Sequence, residues 1–131
     1  QTIRIVHTEP LSISGDVQLL EQALSNLISN AIKYSGSPDI ELSLSRDQNS
    51  AVISVTDHGC GIPAENQPRI FERFYRVHKE RSRALGGTGL GLAIVKHIAQ
   101  LHGGKAELVS ESGKGCCFKI VLPENNSFHR V

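Results

Sequence analysis

A chain of 131 residues, 39% hydrophobic and 21% charged, has the size and apolar content of one globular domain with its own core, and no apolar run nears the ~18 residues of a membrane span. The formal net charge of +1 gives no global case for nucleic acid, and three cysteines, two of them adjacent at Cys116 and Cys117, neither make a disulfide framework nor show zinc spacing. The expectation is therefore one domain over residues 1–131 in a reducing cytoplasm, without nucleic acid or direct membrane contact. The chain opens at Gln1 with no Met and no signal-peptide pattern, which reads as a piece of something longer.

In chain order, two extended stretches are expected at 2–7 and 11–14, separated by Pro10 and closed by Gly15. Asp16 can cap a helix running to about Tyr34, because Val17, Leu20, Leu24, Leu27, Ile28 and Ala31 recur at helical spacing. Gly36-Ser37-Pro38 stops it. Ile40, Leu42 and Leu44 alternate with polar residues, the 47–50 turn follows, and 51–56 completes a hairpin. A second helix spans about 90–102 with Gly103-Gly104 as its stop, and 105–110 with 116–122 make a closing hairpin. The tail over about 124–131 is expected to fray. Strands around and between helices predict an α+β two-layer sandwich: a mixed, mostly antiparallel sheet covered on one face by helices.

Four segments carry chemistry. The first helix presents Gln22, Asn26, Asn30 and Lys33 on one stripe about half a turn away from the apolar one. A solvated face would read that way too, but such faces favour Glu and Lys, and Asn is a poor helix former unless its amide is used. An amide oxygen suits a hard cation, an amide NH2 suits a phosphate, and Lys33 adds positive charge. Asp57 is in phase with Ala51, Ile53 and Val55, so its carboxylate points to the apolar side of the sheet and needs a partner there. It can be a turn-forming Asp before Gly59, or it can accept from the exocyclic amine of a purine. Gly59 and Gly61 would let a flat ring pack close, with Ile62 and Pro63 as an apolar wall.

Between Arg69 and Arg83 lie six of the fourteen Lys and Arg residues, suited to a polyphosphate or simply to solvent. Phe71, Phe74 and Tyr75 fall at i, i+3 and i+4, as the hinge side of a lid or a small satellite core. Gly87, Gly89 and Gly91 lead into the second helix, whose first N–H groups would face phosphates. Ser112-Gly113-Lys114-Gly115 is no Walker motif, since a strand follows it. Cys60, in the Asp57 turn, reads as a filler residue, and the six histidines read as surface or turn residues.

The segments Asn26-Leu-Ile-Ser-Asn30-Ala-Ile-Lys33-Tyr34, Asp57-His-Gly-Cys-Gly-Ile62, Phe71-Glu-Arg-Phe-Tyr-Arg76 and Gly87-Thr-Gly-Leu-Gly-Leu-Ala-Ile94 resemble the N, G1, F and G2 boxes of the catalytic ATP-binding domain of bacterial sensor histidine kinases. The resemblance covers nearly the whole chain, and 74–83 followed by Gly-Gly-Thr-Gly is similar to phosphate-regulon sensor kinases in particular. It implies the Bergerat fold with an ATP lid over about 63–89, and ATP with Mg2+ as cofactors. By resemblance Asn30 ligates Mg2+; Asn26, Lys33 and Tyr34 flank the phosphates; Asp57 binds the adenine amine beside Gly59, Gly61 and Ile62. Gly87, Thr88, Gly89, Leu90 and Gly91 hold the lid to the triphosphate, Tyr75 lies among the nucleotide contacts, and Arg76 stabilises the transferred phosphoryl. Asn26, Asn30 and Arg76 are thus the catalytic candidates.

ATP-hydrolysing relatives carry Glu where this chain has Asn26; lacking that base suits transfer to an imidazole, which needs no deprotonation before attack. No histidine here sits in the family's phosphoacceptor context, so the resemblance implies partners: a dimerisation and phosphoacceptor domain, then a response regulator. The parent would be anchored in the cytoplasmic membrane with this domain inside the cell. Two rivals stand beside this reading: a serine kinase of the anti-sigma-factor type, and a nucleotide-gated interaction module that transfers nothing.

Overall fold

The computed structural model describes residues 2–8, 15–34, 39–75, 90–111 and 113–123. Its elements in order are β1 (Thr2–Thr8), α1 (Val17–Tyr34), β2 (Asp39–Asp47), β3 (Ser50–Asp57), one 3₁₀ turn (Gln67–Arg69), α2 (Gly91–Leu101), β4 (Lys105–Glu111) and β5 (Gly115–Pro123). The extended stretch expected at 11–14, the 36–38 stop and the tail from about 124 lie outside the described residues.

The five strands form one sheet in the order β1-β2-β3-β5-β4, with β1 parallel to β2 and every other neighbouring pair antiparallel. This is the mixed, mostly antiparallel sheet expected. Because side chains alternate along a strand, the register puts Ile40, Leu42, Ile53, Val55, Phe118, Ile120, Ala106 and Leu108 on one face. Glu41, Ser43, Ser54, Thr56, Lys119 and Glu107 fall on the other. Helices α1 and α2 cover the apolar face with Ala23, Leu27, Ala31, Val95, Ile98 and Ala99, all buried in one cluster with Ile40, Val55, Phe118 and Ile120.

Asp16 starts α1 as expected: its Oδ1 accepts from Leu19 N at 3.1 Å. It also receives a support that helical periodicity does not predict. His102, just after α2, is buried and not the surface or turn residue expected. Its Nε2 accepts from Asp16 N–H at 3.0 Å, while its Nδ1 donates to the Ile98 carbonyl at 2.8 Å. A carbonyl can only accept and an amide N–H only donate, so the ring is the Nδ1–H tautomer with Nε2 bare. The imidazole joins the end of one helix to the beginning of the other. His102→Ala is expected to cost about 2 kcal/mol of unfolding free energy, read by urea denaturation, because it removes the ring that accepts from Asp16 N–H and donates to the Ile98 carbonyl and opens a side-chain-sized space. A midpoint equal to wild type would sink that role.

Candidate nucleotide-binding site

Asp57 is the most deeply buried polar residue among those described. It ends β3, pairs across the sheet with Ile40 and Cys116, and is 5% exposed. Its Oδ1 accepts from Gly59 N at 2.9 Å and from Cys116 N at 3.3 Å. Its Oδ2 accepts from no described residue. A buried carboxylate with one oxygen anchored by two amides and the other engaged by no described residue is a candidate acceptor for a ligand's donor. The turn role and the acceptor role therefore coexist, on different oxygens.

The turn after Asp57 is fixed from several sides. Gly61 has φ 73°, which suits glycine. Ile62, half-buried, donates its N–H to Ser110 Oγ at 2.8 Å, and Gly113 N donates to the Cys60 carbonyl at 2.6 Å. His58 points the other way, with Nε2 3.0 Å from Glu41 Oε1, on which Arg4 also bears at 3.3 Å. The His58 hydrogen bond, aided by Arg4, holds the Glu41 carboxyl below the usual carboxylate range. Behind the turn, burial pushes the Cys116 thiol up to about 11 against the pull of its Ser110 hydrogen bond, leaving an inert protonated sulfur. Cys60 is exposed.

On α1 the amide stripe is only partly the solvent-facing stripe that its spacing, half a turn from the apolar residues, suggests. Asn26 and Asn30 are half-buried, Gln22 and Lys33 exposed. Asn26 Nδ2 lies 3.4 Å from the Gly91 carbonyl, a long contact that brings α1 against the start of α2. The Asn30 amide hydrogen-bonds to no described residue. Helix α2 begins after Leu90 with no side-chain cap among the described residues, so its first N–H groups are candidates for an anion beside Asn26. Asn26, Gly91 and Leu90 are thus brought together, with Asn30 one turn along. The Tyr34 side chain, Arg76, Gly87, Thr88 and Gly89 lie outside the described residues, as does most of the basic cluster.

The three aromatics at 71–75 do not act together as helical spacing suggests. Phe74 has φ 65°, so no helix runs through them. Phe71 packs edge-on against Phe118 at 6.1 Å in the main core, whereas Phe74 is 63% exposed with Arg73 over its ring. Tyr75 accepts a hydrogen bond from Asn66 and lies under Arg69, whose guanidinium is 4.6 Å from the ring centroid and pairs with Glu72 at 2.8 Å. Among the described residues the three form no satellite core. Buried Ile70 and half-buried Phe71 fasten this segment to the domain.

Reasoning from the sequence missed Gln67, Ser110 and Gly115. Gln67 Nε2 donates to the carbonyls of Ile62 at 2.9 Å and Ser110 at 3.0 Å, and Ser110 Oγ donates to the Gly115 carbonyl at 2.9 Å. No motif flags them; the one signal was that Ser110 falls on the apolar face of β4, in phase with Ala106 and Leu108.

The model of the histidine kinase-, DNA gyrase B- and HSP90-like ATPases matches residues 15–126, and the chain belongs to that family. The sensor-like histidine kinase SenX3 of Mycolicibacterium smegmatis is 50% identical over 113 residues, covering 86% of this chain and 29% of that protein. Mycobacterial sensor histidine kinase MprB superposes with a TM-score of 0.76 at 33% identity over 93% of this chain and 82% of that one. Full-length ShkA, solved in complex with AMPPNP, superposes with a TM-score of 0.78 at 31% identity over 97% of this chain and 27% of that one. The expected family and fold are borne out. The chain spans less than a third of the length of the curated relatives it matches.

Proposed function

We infer that this chain is the catalytic ATP-binding domain of a sensor histidine kinase. The observation that carries the reading is Asp57: a buried carboxylate with one oxygen held by backbone amides and the other accepting from no described residue, which suits an acceptor for the adenine amine. ATP is the nucleotide that the family implies, and ShkA, at 31% identity, was solved with AMPPNP. Asn30, whose half-buried amide has no partner among the described residues, is the fitting ligand for Mg2+. Asn26, Lys33 and the uncapped start of α2 would take the phosphates, with Arg76 neutralising the group in transfer.

The reaction proposed is phosphoryl transfer from ATP to a histidine nitrogen. The bond from the γ-phosphorus to its bridging oxygen breaks, a P–N bond forms, and ADP leaves. The acceptor sits on a dimerisation domain outside this chain, and a response regulator takes the phosphoryl next. We place the parent in the membrane with this domain in the cytoplasm; among the described residues no helix is long and apolar enough to cross a bilayer. The lid extends over about 63–89 with its root fastened at Ile70 and Phe71, and phosphate-regulon sensors are the proposed subfamily.

Calorimetric titration of ATP, with and without Mg2+, tests the site directly. Wild type should bind more tightly with the metal, and Asn30→Ala should lose about tenfold in the Mg2+-dependent part alone, the worth of one hydrogen-bond-scale contact. A folded wild type that binds no ATP would overturn the reading in favour of a scaffold that contacts partners without nucleotide.

A further inference from the structure

We propose that Gln67 is a positioning residue for the nucleotide: its carboxamide locks the adenine-side turn to the β4–β5 hairpin and to the root of the lid segment, so that all three move as one body. The inference deepens the nucleotide-site reading above and rests on it.

The Ile62 peptide has its N–H on Ser110 Oγ at 2.8 Å and its carbonyl on Gln67 Nε2 at 2.9 Å. The second hydrogen of the same Nε2 goes to the Ser110 carbonyl at 3.0 Å, and Ser110 Oγ passes its own proton to the Gly115 carbonyl at 2.9 Å. The next residue, Cys116, donates its N–H to Asp57 Oδ1 at 3.3 Å. An unbroken chain of hydrogen bonds and peptides thus runs from Gln67 to the carboxylate proposed to read the base. Loop peptides ordinarily leave such groups to water; here a half-buried turn has both its donor and its acceptor fixed.

Side-chain chemistry makes the position specific. Joining two carbonyls through one atom takes two N–H groups on that atom at the reach of a five-atom side chain, and glutamine supplies them. Leucine fills a similar volume and donates nothing. Glutamate reaches as far, but as a carboxylate it sets negative oxygens against two carbonyls, and only when protonated can it donate, once. Gln67 also opens the 3₁₀ turn that leads through Ile70 and Phe71 into the rest of the lid segment, so whatever shifts that turn pulls on the Ile62 peptide. The surface of the turn that faces the base is thereby tied to the state of the lid root.

The experiment measures ATP binding by calorimetry for wild type, Gln67→Leu and Gln67→Glu between about pH 8 and about pH 5, the range over which a glutamate held against carbonyls takes up its proton. Hydrogen exchange of the Ile62 amide is followed in parallel, in the absence of nucleotide. Gln67→Leu should bind ATP about tenfold more weakly and exchange the Ile62 amide about tenfold faster, while thermal melting moves little. Gln67→Glu should bind worst at the alkaline end and recover several-fold toward the acid end relative to wild type, a profile that loss of packing alone would not give. ATP affinity unchanged in Gln67→Leu, or a Gln67→Glu to wild-type ratio flat with pH, would overturn the proposal. If wild type itself bound no ATP, the nucleotide reading would fall; unchanged Ile62 exchange in Gln67→Leu would then overturn the clamp as well, and faster exchange would uphold it.

Discussion

Gly115→Ala is expected to lose about 3–4 kcal/mol of stability, the sum of a strained backbone and a steric overlap. Gly115 opens β5 with φ 96°, a conformation that a residue with a Cβ adopts only under strain. The added methyl would also press on the Asp57 carbonyl oxygen and come within 2.8 Å of His58 Cα, both backbone atoms that no rotamer change can move aside. Relief requires the β5 strand end to back away from β3, which takes Cys116 N–H off Asp57 Oδ1. Urea denaturation with ATP binding measured on the same samples checks this. Gly113→Ala is the control, since Gly113 has φ 84° but nothing within 4 Å of a built Cβ. It should cost only about 1 kcal/mol, the strain alone. Equal losses at the two sites would mean that the close approach to Asp57 contributes nothing.

Asp57→Asn should weaken ATP binding by about 10²-fold while leaving the melting temperature close to wild type. The amide oxygen can replace Oδ1 and keep accepting from Gly59 N and Cys116 N, so the turn stays anchored. What changes is the other atom: an acceptor becomes an NH2, and two donors face each other where the adenine amine would sit. Guanine carries an acceptor at that place, so the GTP to ATP affinity ratio should rise in the same variant. ATP affinity within about twofold of wild type would show that the open oxygen does not meet the base.

The elements were legible where local pattern decides. Both hairpins follow from alternation at 40–44, 51–56, 105–110 and 116–122, and α1 from its apolar spacing and the Asp16 cap. Strand order was not, because the placing of β5 between β3 and β4, and of β1 parallel to β2, depends on crossovers that no local window holds. The same division runs through the site. Asp57 could be found from its phase in β3. Gln67, Ser110 and Cys116 could not, since each meets its partner across 43 to 59 residues of chain. His102, 86 residues from Asp16, is the extreme case. The aromatic trio misled because spacing alone cannot register a positive φ at Phe74.

Helix α1 carries its core residues Ala23, Leu27 and Ala31 interleaved with Asn26 and Asn30, and this constrains how the chain can change length. Each residue turns the helix by about 100°, so inserting or deleting one between 23 and 30 would swing amides into the core and leucine toward the proposed phosphate site. Folding and binding would fail in a single event. An extra residue is tolerated instead at places such as the exposed Gln48-Asn49 turn between β2 and β3, where it touches neither face of the sheet.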